Sequence, residues 1–171
     1  ALSVKEAELS TLRRLDDSEH NILIMQGNLA NTYSLLGRKE EALSLRQETY
    51  SACVRFFGEE HETLRAASNY AASLYGLQRF EEAKALFRKT VPTARRVLGE
   101  GHRLALKMSG LYAQTLYKND GATLDDLREA VETLEDIART ARRVLGGAHP
   151  TTTGIEGDLQ NARAALAARD D

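Results

Sequence analysis

Apolar and polar positions along this chain recur with a helical period. Counted from Ala42, Ala83 and Ala130, apolar or small residues return at Leu45/Leu86, Phe87/Leu134, Thr49/Thr90/Ile137, Cys53/Ala94/Ala141 and Phe56/Val97/Val144. Those offsets of 3, 4, 7, 11 and 14 track a 3.6-residue turn, so one face of each segment is expected to be buried. Each segment closes 16 residues after its alanine, at Gly58, Gly99 or Gly146. A glycine just past a helix end takes the left-handed conformation that turns the chain. The pairs Glu40/Glu41 and Glu81/Glu82 suit a helix N-terminus, and Arg55, Arg96 and Arg143, three residues before the glycines, suit a C-terminus.

A second helical segment precedes each of these, reading NLANTYSLLG at 28–37, NYAASLYGLQ at 69–78 and LYAQTLYKND at 111–120. Ala30, Ala71 and Ala113 hold the place where a larger side chain would push two helices apart. The histidines mark the register: His20, His61, His102 and His149 lie 41, 41 and 47 residues apart, each after a short polar turn. The pattern predicts an internal repeat of about 41–47 residues, a helix A, a tight turn and a longer helix B. A single array over 1–171 is expected: a partial leading helix over 1–19, repeats over 20–60, 61–101 and 102–148, and a capping helix over 149–171 opened by Pro150. The extra residues of the third repeat are placed in a turn at 118–126 that should protrude. Pro92 falls inside the second helix B, where it removes a backbone donor, and predicts a kink.

Composition narrows the function classes. A net charge of -2 gives no basis for binding nucleic acid, and no apolar stretch approaches the roughly 20 residues that span a bilayer. Cys53 is the lone cysteine, so an intrachain disulfide is impossible and a reducing, cytoplasmic setting is expected. The chain starts at Ala1 without a signal-peptide pattern, as a segment of a larger product would. Candidate chemistry is sparse. The histidines belong to different repeats, too far apart to share one metal ion, and read as helix-start residues. Cys53 shares a column with Ala94 and Ala141, a place for small buried side chains rather than a nucleophile. Neither a phosphate loop nor a nucleophile with its base is present, so no enzyme, cofactor or metal is expected.

The run N-L-A-x-x-Y-x-x-x-G-R-x-x-E-A at 28–42, followed by L-G-x-x-H before the next repeat, resembles the kinesin-light-chain type of tetratricopeptide repeat. The resemblance covers nearly the whole chain, although the third repeat lacks the helix-A asparagine and the fourth is half present. It implies an all-α, right-handed α-solenoid of antiparallel helix pairs, whose helices A line a concave groove for an extended peptide. Matching the family motif places Asn28, Ser68 and Asn69 on the ligand's backbone. Helical spacing adds Asn31, Arg65, Tyr75, Lys107, Gln114, Tyr117 and Lys118 to the same face. The charged members, Arg65, Lys107 and Lys118, are basic and favour an acidic or carboxylate-bearing peptide. A scaffold that binds a protein partner is expected; the alternative is a spacer or self-associating segment of a larger protein.

Overall fold

The computed structural model describes residues 2–14 and 19–170, so most of the polar turn expected before His20 lies outside the described residues. The described residues hold eight α-helices and no strand: α1 Leu2–Arg14, α2 Glu19–Leu35, α3 Lys39–Phe57, α4 His61–Gly76, α5 Phe80–Leu98, α6 Arg103–Tyr117, α7 Leu124–Leu145 and α8 Pro150–Asp170. They fall into two compact bodies, the first ending at Leu77 and the second beginning at Gln78. Helix ends follow the sequence closely. Gly58, Gly99 and Gly146 have φ of 62°, 91° and 90°, and their N–H groups close the helices on Val54, Arg95 and Arg142. His102 and His149 start helices, since Nδ1 of each accepts the N–H two residues on, from Leu104 and Thr151 at 3.2 and 3.1 Å.

In the first body α1 packs on α2, α2 on α3 and α3 on α4. Leu9, Leu29, Ala30 and Leu45 form one cluster, with Leu2, Ile22, Met25 and Tyr33 against it. The helix at the start thus packs on α2 much as a preceding helix B would. Polar bonds fix its register: the Tyr33 hydroxyl donates to Glu6 at 2.7 Å and Lys5 Nζ donates to the Thr32 hydroxyl at 2.8 Å. At the A–B turn, Arg38 forms a two-point bond with Glu41, at the position where Arg79 and Glu82 do the same at 2.6 Å in the second body. The second glutamate of each pair expected at a helix start, Glu41 and Glu82, is therefore held by the residue before the helix.

In the second body α5 packs on α6, α6 on α7 and α8, and α7 on α8. Phe87, Met108 and Leu134 are fully buried there. A stripe of basic side chains on α5 meets an acidic stripe on α7: Lys84 to Asp126 at 2.6 Å, Arg88 to Glu129 at 2.9 Å and Arg95 to Asp136 at 2.6 Å. Asp126 is buried, and it also completes a capping box with Thr123 that starts α7. Because that cap acts so early, the extra residues of the third repeat lengthen helix B as well as the turn, which covers 118–123 rather than 118–126.

The turn does not protrude. Asn119 donates to Glu81 at 2.9 Å, Ala122 is buried, and Arg169 donates to the Asp120 and Ala122 carbonyls at 3.2 and 3.0 Å. The fifth apolar column also differs from expectation: Phe56, Val97 and Val144 are 44%, 41% and 51% exposed. The buried stripe leans toward Ala94, Ala141 and the half-buried Leu98 and Leu145, which leaves these three at its edge near the helix end. Val144 still has a packing role, because a Cβ on Gly101 would come within 2.9 Å of its Cγ2.

α5 runs as one helix through Pro92, which is exposed, so the carbonyl deprived of its donor lies on a watered face. Replacing Pro92 by Ala restores that bond and is expected to raise the unfolding free energy by about 1–3 kcal/mol, less than the full proline cost because the unfolded chain also gains freedom; denaturant unfolding measures it. A second expectation concerns Tyr112, which accepts from Arg88 at 3.0 Å and donates to Glu129. Burial, and then the Glu129 carboxylate, push its hydroxyl up to about 12 from 10.0. Between those values the unfolded chain gives up this proton first, so the stabilisation present below pH 10 is lost as pH rises towards 12. The fall in melting temperature across that window should be shallower in Tyr112→Phe than in the native chain.

Candidate functional site

A cleft of about 220 Å³ opens in the first body among α2, α3 and α4. Helical spacing builds it. Ile24, Gly27, Asn28 and Asn31 share a face of α2, Glu62, Arg65, Ala66 and Asn69 share a face of α4, and Thr49, Cys53 and Phe57 of α3 form the floor. Gly27 leaves room: a Cβ there would meet nothing within 4 Å. The apolar part continues into Leu23 and into Phe57, whose ring meets the edge of His20 at 6.0 Å.

Four of the residues expected on the ligand-binding face come together here: Asn28, Asn31, Arg65 and Asn69. Asn28, Asn31 and Arg65 are exposed and Asn69 is half-buried. Asn31 Oδ1 accepts from Arg46 of α3 at 2.9 Å, and Arg46 also donates to the Ser73 hydroxyl. Cys53 is buried; burial pushes its thiol up, and the nearby Arg65 guanidinium only partly opposes this. Both effects together favour the protonated thiol at the floor of the cleft.

The other expected residues lie elsewhere. Tyr75 is half-buried near the end of α4. Lys107 is exposed on α6, and Lys118, just beyond it, stands 5.6 Å from the Tyr117 ring. Gln114 and Tyr117 are committed to the fold: Gln114 Nε2 donates to Asp158 of α8 at 2.6 Å and the Tyr117 hydroxyl donates to the same carboxylate at 2.8 Å. Sequence reasoning missed Glu62, which lies one helical turn before Arg65 on the same face. Its spacing to Arg65 was the available signal. With one carboxylate beside its one guanidinium, the cleft lacks the uniformly basic character expected from Arg65, Lys107 and Lys118.

Within each body, helices packed in sequence order over small buried contact residues define an all-α helical-repeat fold. Residues 21–96 match the tetratricopeptide repeat family. The fold is like that of a kinesin light chain candidate from Podosopora anserina with nearly identical TPR-like repeats. Two crystal structures of that protein, one of a variant, give TM-scores of 0.84 and 0.81, each at 22% identity over 99% of this chain and over 78% and 79% of theirs. BtubC (BKLC) from P. vanneervenii is similar over 96% of this chain and 68% of its own, with a TM-score of 0.64 and 18% identity. No curated protein matches the chain. The tetratricopeptide repeat match thus covers residues 21–96, and over the rest of the chain the likeness to these solved structures shows the same fold.

Ser68 departs from its expected role. It faces inward with no exposed surface, so no ligand can reach it, and its hydroxyl lacks a hydrogen-bond partner among the described residues. An unpaired buried hydroxyl costs about 1–3 kcal/mol of desolvation. Ser68→Ala is expected to raise stability by about 1 kcal/mol, read from thermal unfolding, and to leave ligand binding by the cleft unchanged.

Proposed function

We propose that this array is a docking scaffold that holds an extended segment of a partner protein against the α2–α4 face of the first body. Repeat arrays of this kind present extended surfaces to their partners. The observation that carries the reading here is that Asn28, Arg65 and Asn69 line one cleft while the fold uses none of their side-chain polar groups in the hydrogen bonds or ion pairs of the described residues. Amides at such positions can both donate to and accept from a peptide main chain, and Leu23, Ile24 and Phe57 offer an apolar recess for a side chain. Arg65 and Glu62 lie three residues apart and so can take a partner carrying both charges; the acidic partner first expected is one case of this.

The test is selection of peptides from a random library against the native chain, followed by titration of a synthesised binder. Arg65→Ala and Asn69→Ala are each expected to weaken that binder by about three- to tenfold, the effect of one lost hydrogen bond, while Lys107→Ala is not. Binding unaffected by both cleft substitutions would sink the assignment. Failure to select any binder, together with concentration-dependent self-association, would favour the spacer reading.

A further inference from the structure

Arg46 occupies the α3 column that later repeats fill with Phe87 and Leu134, four residues after the recurring alanines Ala42, Ala83 and Ala130. Phe87 and Leu134 are fully buried, and Arg46 is half-buried. Burial holds its guanidinium below the ordinary arginine range. A cation so placed is usually paired with a carboxylate. Among the described residues none pairs with it. Its donors go to two neutral oxygens, the Ser73 hydroxyl on α4 and Asn31 Oδ1 on α2, so one side chain bridges three helices.

The consequence falls on Asn31. A guanidinium carries donors only, so the atom of Asn31 that meets it must be the amide oxygen. The amide NH2 group is then directed away from Arg46, on a side chain that lines the cleft. Asn28 and Asn69 have no such anchor and can present either end of their amides. Asn31 cannot turn without leaving a half-buried cation short of an acceptor.

We infer that Arg46 locks Asn31 as a hydrogen-bond donor, so that the cleft requires an acceptor oxygen of the ligand, a main-chain carbonyl or a carboxylate, at that point and rejects a donor there. The inference rests on the proposed peptide-docking role of the cleft. Arg46 acts through Asn31 and is a positioning residue.

The experiment uses the synthesised binder selected against the native chain and compares Asn31→Asp, Arg46→Leu, Arg46→Lys and Asn69→Ala. Asn31→Asp keeps an oxygen on Arg46 and replaces the outward NH2 group by a second oxygen. It is expected to hold or raise the melting temperature while weakening binding about tenfold or more. Arg46→Leu matches the later repeats, so the melting temperature should hold, yet freeing Asn31 should weaken binding about threefold; Arg46→Lys, which keeps a donor, should recover most of it. A merely structural role for Arg46 would lower the melting temperature in Arg46→Leu. Repeating the titrations with all peptide carboxyl groups amidated separates the two acceptors: a persisting Asn31→Asp effect assigns a main-chain carbonyl, and its disappearance assigns a carboxylate. Native affinity in Asn31→Asp, with Asn69→Ala still weakened, would overturn this inference and leave the docking reading standing. Native affinity in both Asn69→Ala and Arg65→Ala would overturn the docking reading, and this inference with it.

Discussion

Two helices approach to 8–10 Å only where the side chains between them are small. The chain meets that constraint with alanine at six matched places: Ala30, Ala71 and Ala113 on helices A, and Ala42, Ala83 and Ala130 on helices B, none more than 1% exposed. With those contacts set, the larger residues can fill only the spaces on either side. In the second body they do so with Phe87, Met108 and Leu134. In the first body the matching position on α3 holds the half-buried Arg46, and an open cleft lies among α2, α3 and α4 with Gly27 on its wall. The constraint that makes the helices stack also decides where they leave room.

The two bodies use their polar side chains differently. On α5, α6 and α7 the charges are matched across helices, from Lys84–Asp126 through Arg88–Glu129 to Arg95–Asp136, and Asp158 takes up both Gln114 and Tyr117. Those groups specify which helix faces which, a role for which polar pairs are suited when each is satisfied. Around the cleft of the first body, Asn28, Arg65 and Asn69 have no such commitment. The first body has cross-helix polar bonds of its own, from Tyr33 to Glu6 and from Arg46 to Asn31, but among the described residues these three side chains stand outside them.

Much of the architecture was legible in the sequence because it depends on local rules. The 3.6-residue period located the helices, and the glycines at 58, 99 and 146 marked their ends with the positive φ that their position required. The cleft was half legible. Spacing along one helix shows which side chains share a face, which was enough to group Asn28 with Asn31 and Arg65 with Asn69. It does not show how far that face rotates inward, and Ser68, one residue from Asn69, turned out fully buried. Nor does it show what a residue distant in sequence will claim, as Asp158 claims Tyr117 from 41 positions away. Phe56, Val97 and Val144 were misjudged for a related reason: a periodic pattern continues to the end of a helix, but the surface it packs against does not.

Arg169 gives the last helix an attachment beyond its own packing. By donating to the backbone carbonyls of Asp120 and Ala122, it ties the end of α8 to the turn that joins α6 to α7. Repeat arrays commonly fray from their termini one repeat at a time, since each repeat touches only its neighbours. Here the final turn of α8 cannot unwind without releasing that inner loop, and Asn119 of the same loop is bonded in turn to Glu81 at the start of α5. A chain of side-chain bonds thus couples α8, the α6–α7 turn and the start of α5, three parts of the second body that are far apart in sequence.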